Sequence, residues 1–119
     1  MDRTEKEITF DDMKDVKGLD EKTYSRLKAQ YGKRLRLVSL ETEDGKAGYL
    51  VVKPSRSHMM AVASHAKDND FEGGNAVLVN SCVVAGDREL IEEDFTVYSA
   101  LLEVFHGLTA AAKAFTTRV

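Results

Sequence analysis

Tryptophan is absent from this chain, and cysteine and proline occur once each, as Cys82 and Pro54. A single cysteine cannot close an internal disulfide, so the fold has to hold by packing, and a reducing compartment is expected. Positive charge is not in excess: 17 Lys and Arg stand against 20 Asp and Glu, for a formal charge of −3. No broad basic surface is available to neutralise phosphates, which argues against a dedicated nucleic-acid binder. No apolar run approaches the ~18 residues needed to cross a bilayer. The opening "MDRTEKEITFDD" is charged throughout and lacks the apolar stretch of a secretory signal. These absences predict a cytoplasmic protein with no nucleic-acid or membrane partner.

What is present is an ordinary globular composition, 43% apolar and 31% charged over 119 residues. That is enough for one modest core. Residues 1–18 read as a polar lead-in, in which "EITF" is a short strand or a packing arm, and residues 19–119 read as a single α+β domain. No repeat and no linker interrupts it. Asp20 is placed to cap a helix, with Leu19 and Tyr24 at staple spacing. Tyr24, Leu27 and Tyr31 form its stripe and Gly32 ends it.

The segment "RLRLVSLETEDGKAGYLVVK" predicts a hairpin turning at Asp44-Gly45, because a type I′ turn needs positive φ at both central positions. That register sets Glu43 opposite Lys46, Leu40 opposite Tyr49, Val38 opposite Val51, Leu37 opposite Val52 and Arg36 opposite Lys53. Apolar residues fall on both faces. An isolated hairpin is marginal in water, so this one must be covered by helices or have its sheet extended. Pro54 closes the second strand, and Ser55 caps a helix whose face is Met59, Val62, Ala63 and Ala66. "KDNDFEGGN" reads as a loop. A helix is then expected from about Asn75 to Ala85, with Leu78, Cys82 and Ala85 on one face and Gly86 after its end. Asp87 caps a short turn. A last helix starts near Asp94, carries Tyr98, Leu101, Leu102, Phe105 and Leu108, and extends into "TAAAKAF". The fold class is therefore α+β. A β-hairpin, with room for a third short strand, packs on about four α-helices, and the C-terminal half is mainly helical.

Chemistry is sparse. Cys82 invites three readings: nucleophile, metal ligand or buried small residue. A catalytic thiol needs a lowered pKa, and a position inside the apolar helix "LVNSCVV" favours the buried reading. His58 and His65 lie two helical turns apart, ~10 Å by the helix rise, too far to share a metal ion, and His106 has no partner in the sequence pattern. No CxxC or HExxH occurs, so no metal site is expected. "EGGN" lacks the spacing of a phosphate loop. The acidic run "GDRELIEED" fits a solvated face or helix N-termini. Lys33, Arg34, Arg36, Lys53 and Arg56 make a small basic patch. Arg36 opposite Lys53 would be unfavourable, so an acidic neighbour is expected there. With no catalytic constellation and no cofactor motif, the chain reads as a binding or assembly protein rather than an enzyme.

Two elements then point to a family. Lys53-Pro54-Ser55-Arg56 follows the hairpin, and Leu78, Asn80, Cys82, Val84, Gly86 and Asp87 follow in a spaced series. This layout, over about residues 20–105, resembles the small tail assembly chaperones of tailed phages and prophages. Ser81 separates Asn80 from Cys82, which the family pattern has adjacent. The resemblance implies a non-catalytic, cofactor-free protein that holds hydrophobic helical segments of the tail tape-measure protein and helps recruit tail-tube subunits. A domain this small cannot bury all its apolar stripes as a monomer, so an exposed groove or self-association surface is expected, with Phe71, Phe95, Tyr98, Leu102 and Phe105 as contact residues. A host-encoded adaptor or regulator that dimerises through its hairpin is the alternative, and a thiol enzyme using Cys82 ranks third.

Overall fold

The computed structural model describes residues 9–110, 112 and 114–119. Glu7 and Ile8 of "EITF", like the rest of residues 1–8, lie outside the described residues. Phe10–Met13 forms a 3-10 turn. The elements that follow are α1 (Glu21–Tyr31), β1 (Leu35–Thr42), β2 (Gly45–Val52), α2 (Arg56–Lys67), α3 (Phe71–Cys82), β3 (Val83–Ala85), α4 (Arg88–Glu93) and α5 (Phe95–Thr109). The architecture is α+β, a three-stranded antiparallel sheet in the order β1-β2-β3 with five α-helices.

The helix starts follow local chemistry. Asp20, Ser55, Asp70, Asp87 and Asp94 each accept a hydrogen bond from a backbone N–H of the first turn they precede, which satisfies donors the helix cannot. At Ser55 the cap is reciprocal, since His58 Nδ1 accepts from the Ser55 backbone N–H at 3.1 Å.

The strand β2 is the centre of the molecule. Tyr49, Leu50, Val51 and Val52 are all at most 1% exposed. Alternate side chains point to opposite faces, so Tyr49 and Val51 join a core with Val38, Leu78, Cys82, Leu101 and Phe105. Leu50 joins a second core with Met13, Val16, Tyr24 and Leu27. The hairpin is thus covered on both faces. Two residues within the stretch read as a polar lead-in, Met13 and Val16, are core residues. Gly48 N–H also donates to the Asp15 carbonyl at 3.0 Å, and Val16 bridges Gly48 in parallel.

Four expectations need correction. The hairpin loop is Glu43-Asp44, so Val38 pairs with Tyr49, Leu40 with Ala47, Leu37 with Leu50 and Arg36 with Val51. Asn69 is the sole non-glycine with positive φ among the described residues, and Gly45 lies at +126°. The turn is therefore not type I′; Gly45 alone takes the left-handed conformation. The Thr42 hydroxyl accepts from Asp44 N–H and donates to the Gly45 carbonyl. The observed register also sets Glu41 against Lys46, an opposite-charge pair. Because each pairing moved by two residues, every side chain kept its face.

Second, "FEGGN" is helical. Asp70 caps α3 through Gly73 N–H at 2.9 Å. Gly74 is buried where α3 crosses α2, and a Cβ there would lie 3.4 Å from Val62. That is ordinary contact; it is at Gly73 that a Cβ would collide, 2.5 Å from His65 Nδ1, and neither glycine breaks the helix. Third, α3 ends at Cys82, and Val83–Ala85 pairs with Leu50 and Val51 of β2. β-Branched residues suit that pleated position. The carbonyls of Val79 near the end of α3 and Val83 at its C-cap accept from the Arg88 guanidinium. Fourth, α5 stops at Thr109, the first residue of "TAAAKAF". Its apolar stripe is exhausted at Leu108, and Ala111 and Lys113 lie outside the described residues.

Candidate docking groove between α3 and α5

A groove of about 380 Å³ runs between α3 and the α4–α5 corner. Glu72, Ala76, Val79 and Asn80 line it from α3, at the i, i+4, i+7, i+8 spacing of one helix face. Ile91, Glu92 and Glu93 line it from the end of α4, and Phe95 and Tyr98 from the start of α5. Val79 and Ile91 are buried and form an apolar floor. Phe95 is 75% exposed and forms the lip. Its ring lies 6.2 Å from that of Tyr98, tilted by 43°, a favourable aromatic geometry. Tyr98 reaches across and donates its hydroxyl to Glu72 Oε2 at 3.1 Å. Partial burial, then that hydrogen bond, pushes the Tyr98 hydroxyl pKa up.

The corner that presents Phe95 is set by Asp94. Its Oδ1 accepts from Thr96 N–H at 2.9 Å and from the Thr96 hydroxyl at 2.6 Å. These bonds hold its carboxyl below the ordinary value. Among the described residues no basic side chain lines the groove, while Glu72, Glu92 and Glu93 do.

Of the five contact residues expected from sequence, the structure brings Phe95 and Tyr98 together. Phe71 is 65% exposed in the first turn of α3, next to Glu72. Leu102 is half-buried against the main core. Phe105 is fully buried and is corrected from contact residue to core residue, because it lies on the face of α5 turned toward the sheet. The sequence reading missed Glu72, Ala76, Asn80 and Ile91. Ala76 and Asn80 sit on a different α3 face from Leu78 and Cys82. Glu72 falls in the stretch expected to be a loop, and Glu92 and Glu93 fall in the acidic run expected to be a solvated face or helix N-terminus.

Of the basic patch expected from sequence, hydrogen bonds link Arg34 with Lys53 and Arg36 with Lys33. Lys33 and Arg34 precede β1, Lys53 follows β2 and Arg56 opens α2. Backbone Lys53 N–H donates to the Arg34 carbonyl, and the Arg34 guanidinium donates to the Lys53 carbonyl at 2.9 Å. The acidic neighbour expected for Arg36 is replaced by carbonyls, since its guanidinium donates to those of Lys33 and Leu35. Arg36 faces Val51 and not Lys53, so the like-charge pairing does not arise.

Cys82 is the last residue of α3 rather than a mid-helix one, and is fully buried. Burial pushes its thiol pKa up, against an opposing influence from Arg34. That is the reverse of what nucleophilic activation requires. His58 serves the α2 cap, and His65 Nδ1 lies 3.0 Å from Asp70 Oδ2 at the α2–α3 corner. Among the described residues, no group of three or more His, Cys, Asp and Glu is arranged to hold a metal ion. No helix among them is long and apolar enough to cross a membrane.

No protein-family model matches the chain, and no curated protein matches it. Among solved structures it is similar to an uncharacterised protein, Rbstp2171, from Bacillus stearothermophilus. The identity is 16%, the TM-score 0.46, and the match covers 80% of this chain and 99% of that one. At that score the likeness carries no argument about function.

Proposed function

We propose that this protein is a non-catalytic binding protein that holds an amphipathic helical segment of a larger protein, as a phage or prophage tail assembly chaperone does. The observation that carries the reading is the groove itself: an apolar floor between two helices with the exposed ring of Phe95 at its edge. Large apolar side chains left at the rim of a concave surface mark protein-binding sites, and a groove between helices accepts a further helix. The tape-measure protein as the segment's source, the tail-tube protein as a second contact and the host cytoplasm as the location rest on the motif resemblance around Lys53–Arg56 and Leu78–Asp87. The protein needs no cofactor for this role. The test is co-expression with a tape-measure gene of the same cluster. Soluble recovery of that partner, lost in Phe95→Ser, supports the reading. A partner that stays insoluble with the native chain present refutes it.

The alternative, an adaptor that dimerises through its hairpin, has one observation in its favour. Among the described residues β1 is an eight-residue edge strand, and a sheet edge is a template for another strand. A dimer in solution that Ser39→Pro reduces to monomer would favour it.

A further inference from the structure

We infer that the occupant of the α3–α5 groove is a cationic amphipathic helix of a protein partner, anchored by arginine. This rests on the binding role proposed above and names the chemistry of the partner. The groove pairs an apolar floor, Val79 and Ile91, with three carboxylates, Glu72, Glu92 and Glu93, and no lining cation among the described residues. A neutral helix laid over it would strip water from those carboxylates without replacing it, which is unfavourable. An acidic helix would be repelled. A helix with an apolar stripe flanked by positive charge satisfies both parts at once.

Arginine fits better than lysine. Phe95 offers an exposed ring beside Tyr98, whose hydroxyl is already bonded to Glu72. A planar guanidinium can stack on such a ring and still bond a carboxylate with its edge. A lysine ammonium supplies the charge without the stacking plane. The volume of about 380 Å³ lies near the lower end of the ~300–1,000 Å³ typical of binding pockets. It therefore takes an anchor side chain and its neighbours, while the rest of the helix lies along α3. Ala76, small and midway along that face, lets a helix backbone come close.

The test uses dye-labelled designed amphipathic peptides with one shared apolar face and arginine, lysine, glutamine or glutamate on its flanks. Binding to the full chain is read by fluorescence anisotropy at low and high salt. The arginine peptide is expected to bind most tightly, ~10-fold or more above the glutamine peptide, from charge-assisted bonds. Lysine should fall between them, and high salt should narrow the gap. The combined variant Glu72→Gln, Glu92→Gln, Glu93→Gln should lose the preference and keep its affinity for the glutamine peptide, with an unchanged circular dichroism spectrum. Equal binding of all four peptides overturns the cationic assignment and leaves general helix binding standing. Failure of every peptide to bind overturns both. Sedimentation of the protein alone covers the remaining source of cations. Self-association abolished both by that triple variant and by Arg34→Glu would mean a second copy fills the groove, and would overturn the assignment.

Discussion

The first turn of α5 and its middle carry the same kind of residue in opposite circumstances. Phe95 is 75% exposed and Phe105, on the same helix, is 0% exposed. Leu101 and Phe105 point at the sheet and meet Tyr49 and Val51 in the main core. Phe95 and Tyr98 sit where α5 emerges from the α4 corner, beyond the sheet's cover, and edge the groove instead. One helix therefore carries both a core face and an exposed rim, divided by which side the sheet occupies. An aromatic residue on an apolar stripe does not reveal which of these it serves.

The sharpest test of that division replaces each phenylalanine in turn. Phe105→Ala should cost ~3–5 kcal/mol in chemical denaturation, as a fully buried aromatic does. Phe95→Ala should stay within ~0.5 kcal/mol, as exposed substitutions do. Similar losses at the two sites would erase the distinction.

The sealed side has a second pressure point at Gly86. Its φ is +128°, and a Cβ there would lie 2.3 Å from Tyr49 Cδ1. Gly86→Ala should therefore cost ~2–3 kcal/mol through backbone strain and overpacking together. A neutral result in thermal melting would show that the Tyr49 ring is free to move aside.

Tyr49 also links the core to pH. Its hydroxyl donates to the Asp87 carbonyl at 2.8 Å. Burial first, then the negative charges of Asp87 and Asp94, pushes its pKa from 10.0 up to about 12. The folded state thus holds this proton more tightly than the unfolded state. The stabilisation is complete below pH 10.0 and is lost as pH rises through about 12. Tyr49→Phe should flatten that alkaline fall, measured as denaturation midpoint against pH. An unchanged slope would place the titration elsewhere.

Cys82 gives a smaller effect. Cys82→Ala should cost ~1–2 kcal/mol, the range of a small core truncation. A thiol reagent should label the native protein slowly and the denatured protein quickly. Rapid native labelling would move Cys82 out of the sealed side.

The mildest change lies at the far end of α5. Gly107 is helical and has open space where a Cβ would stand. Gly107→Ala should raise stability by ~0.5–1 kcal/mol, by restricting the unfolded chain and favouring the helix. A loss there would mean that something packs against that turn.

Features that depend on a few adjacent residues were legible in the sequence. The caps at Asp20, Ser55 and Asp87, and the start of the last helix near Asp94, follow from short polar side chains placed just before apolar stripes. Others were not legible. Gly73 and Gly74 look like a break until His65 of α2 and the Asp70 cap are seen to occupy the space a Cβ at Gly73 would need. "VLVNSCVVA" is apolar almost throughout, so its periodicity cannot mark where helix gives way to strand. Of the candidate site, Phe95 and Tyr98 were legible as apolar helix residues. Glu72 and Asn80 were not, because nothing local ties them to residues about twenty positions away.

By itself the sequence determined the α+β class, the order and capping of most helices, the existence of a hairpin and its need for cover on both faces. All of these follow from side-chain periodicity and local hydrogen bonding, which act within a few residues. Only the tertiary structure decided the hairpin register, the strand at Val83–Ala85 and the split of α5 into core and rim. These depend on which distant surfaces meet. β2 needed a partner along one edge, and Val83–Ala85 arrived there because α3 packs beneath the sheet and ends beside it. The groove arose in the same way, as space left where α3 and α5 diverge around the α4 corner.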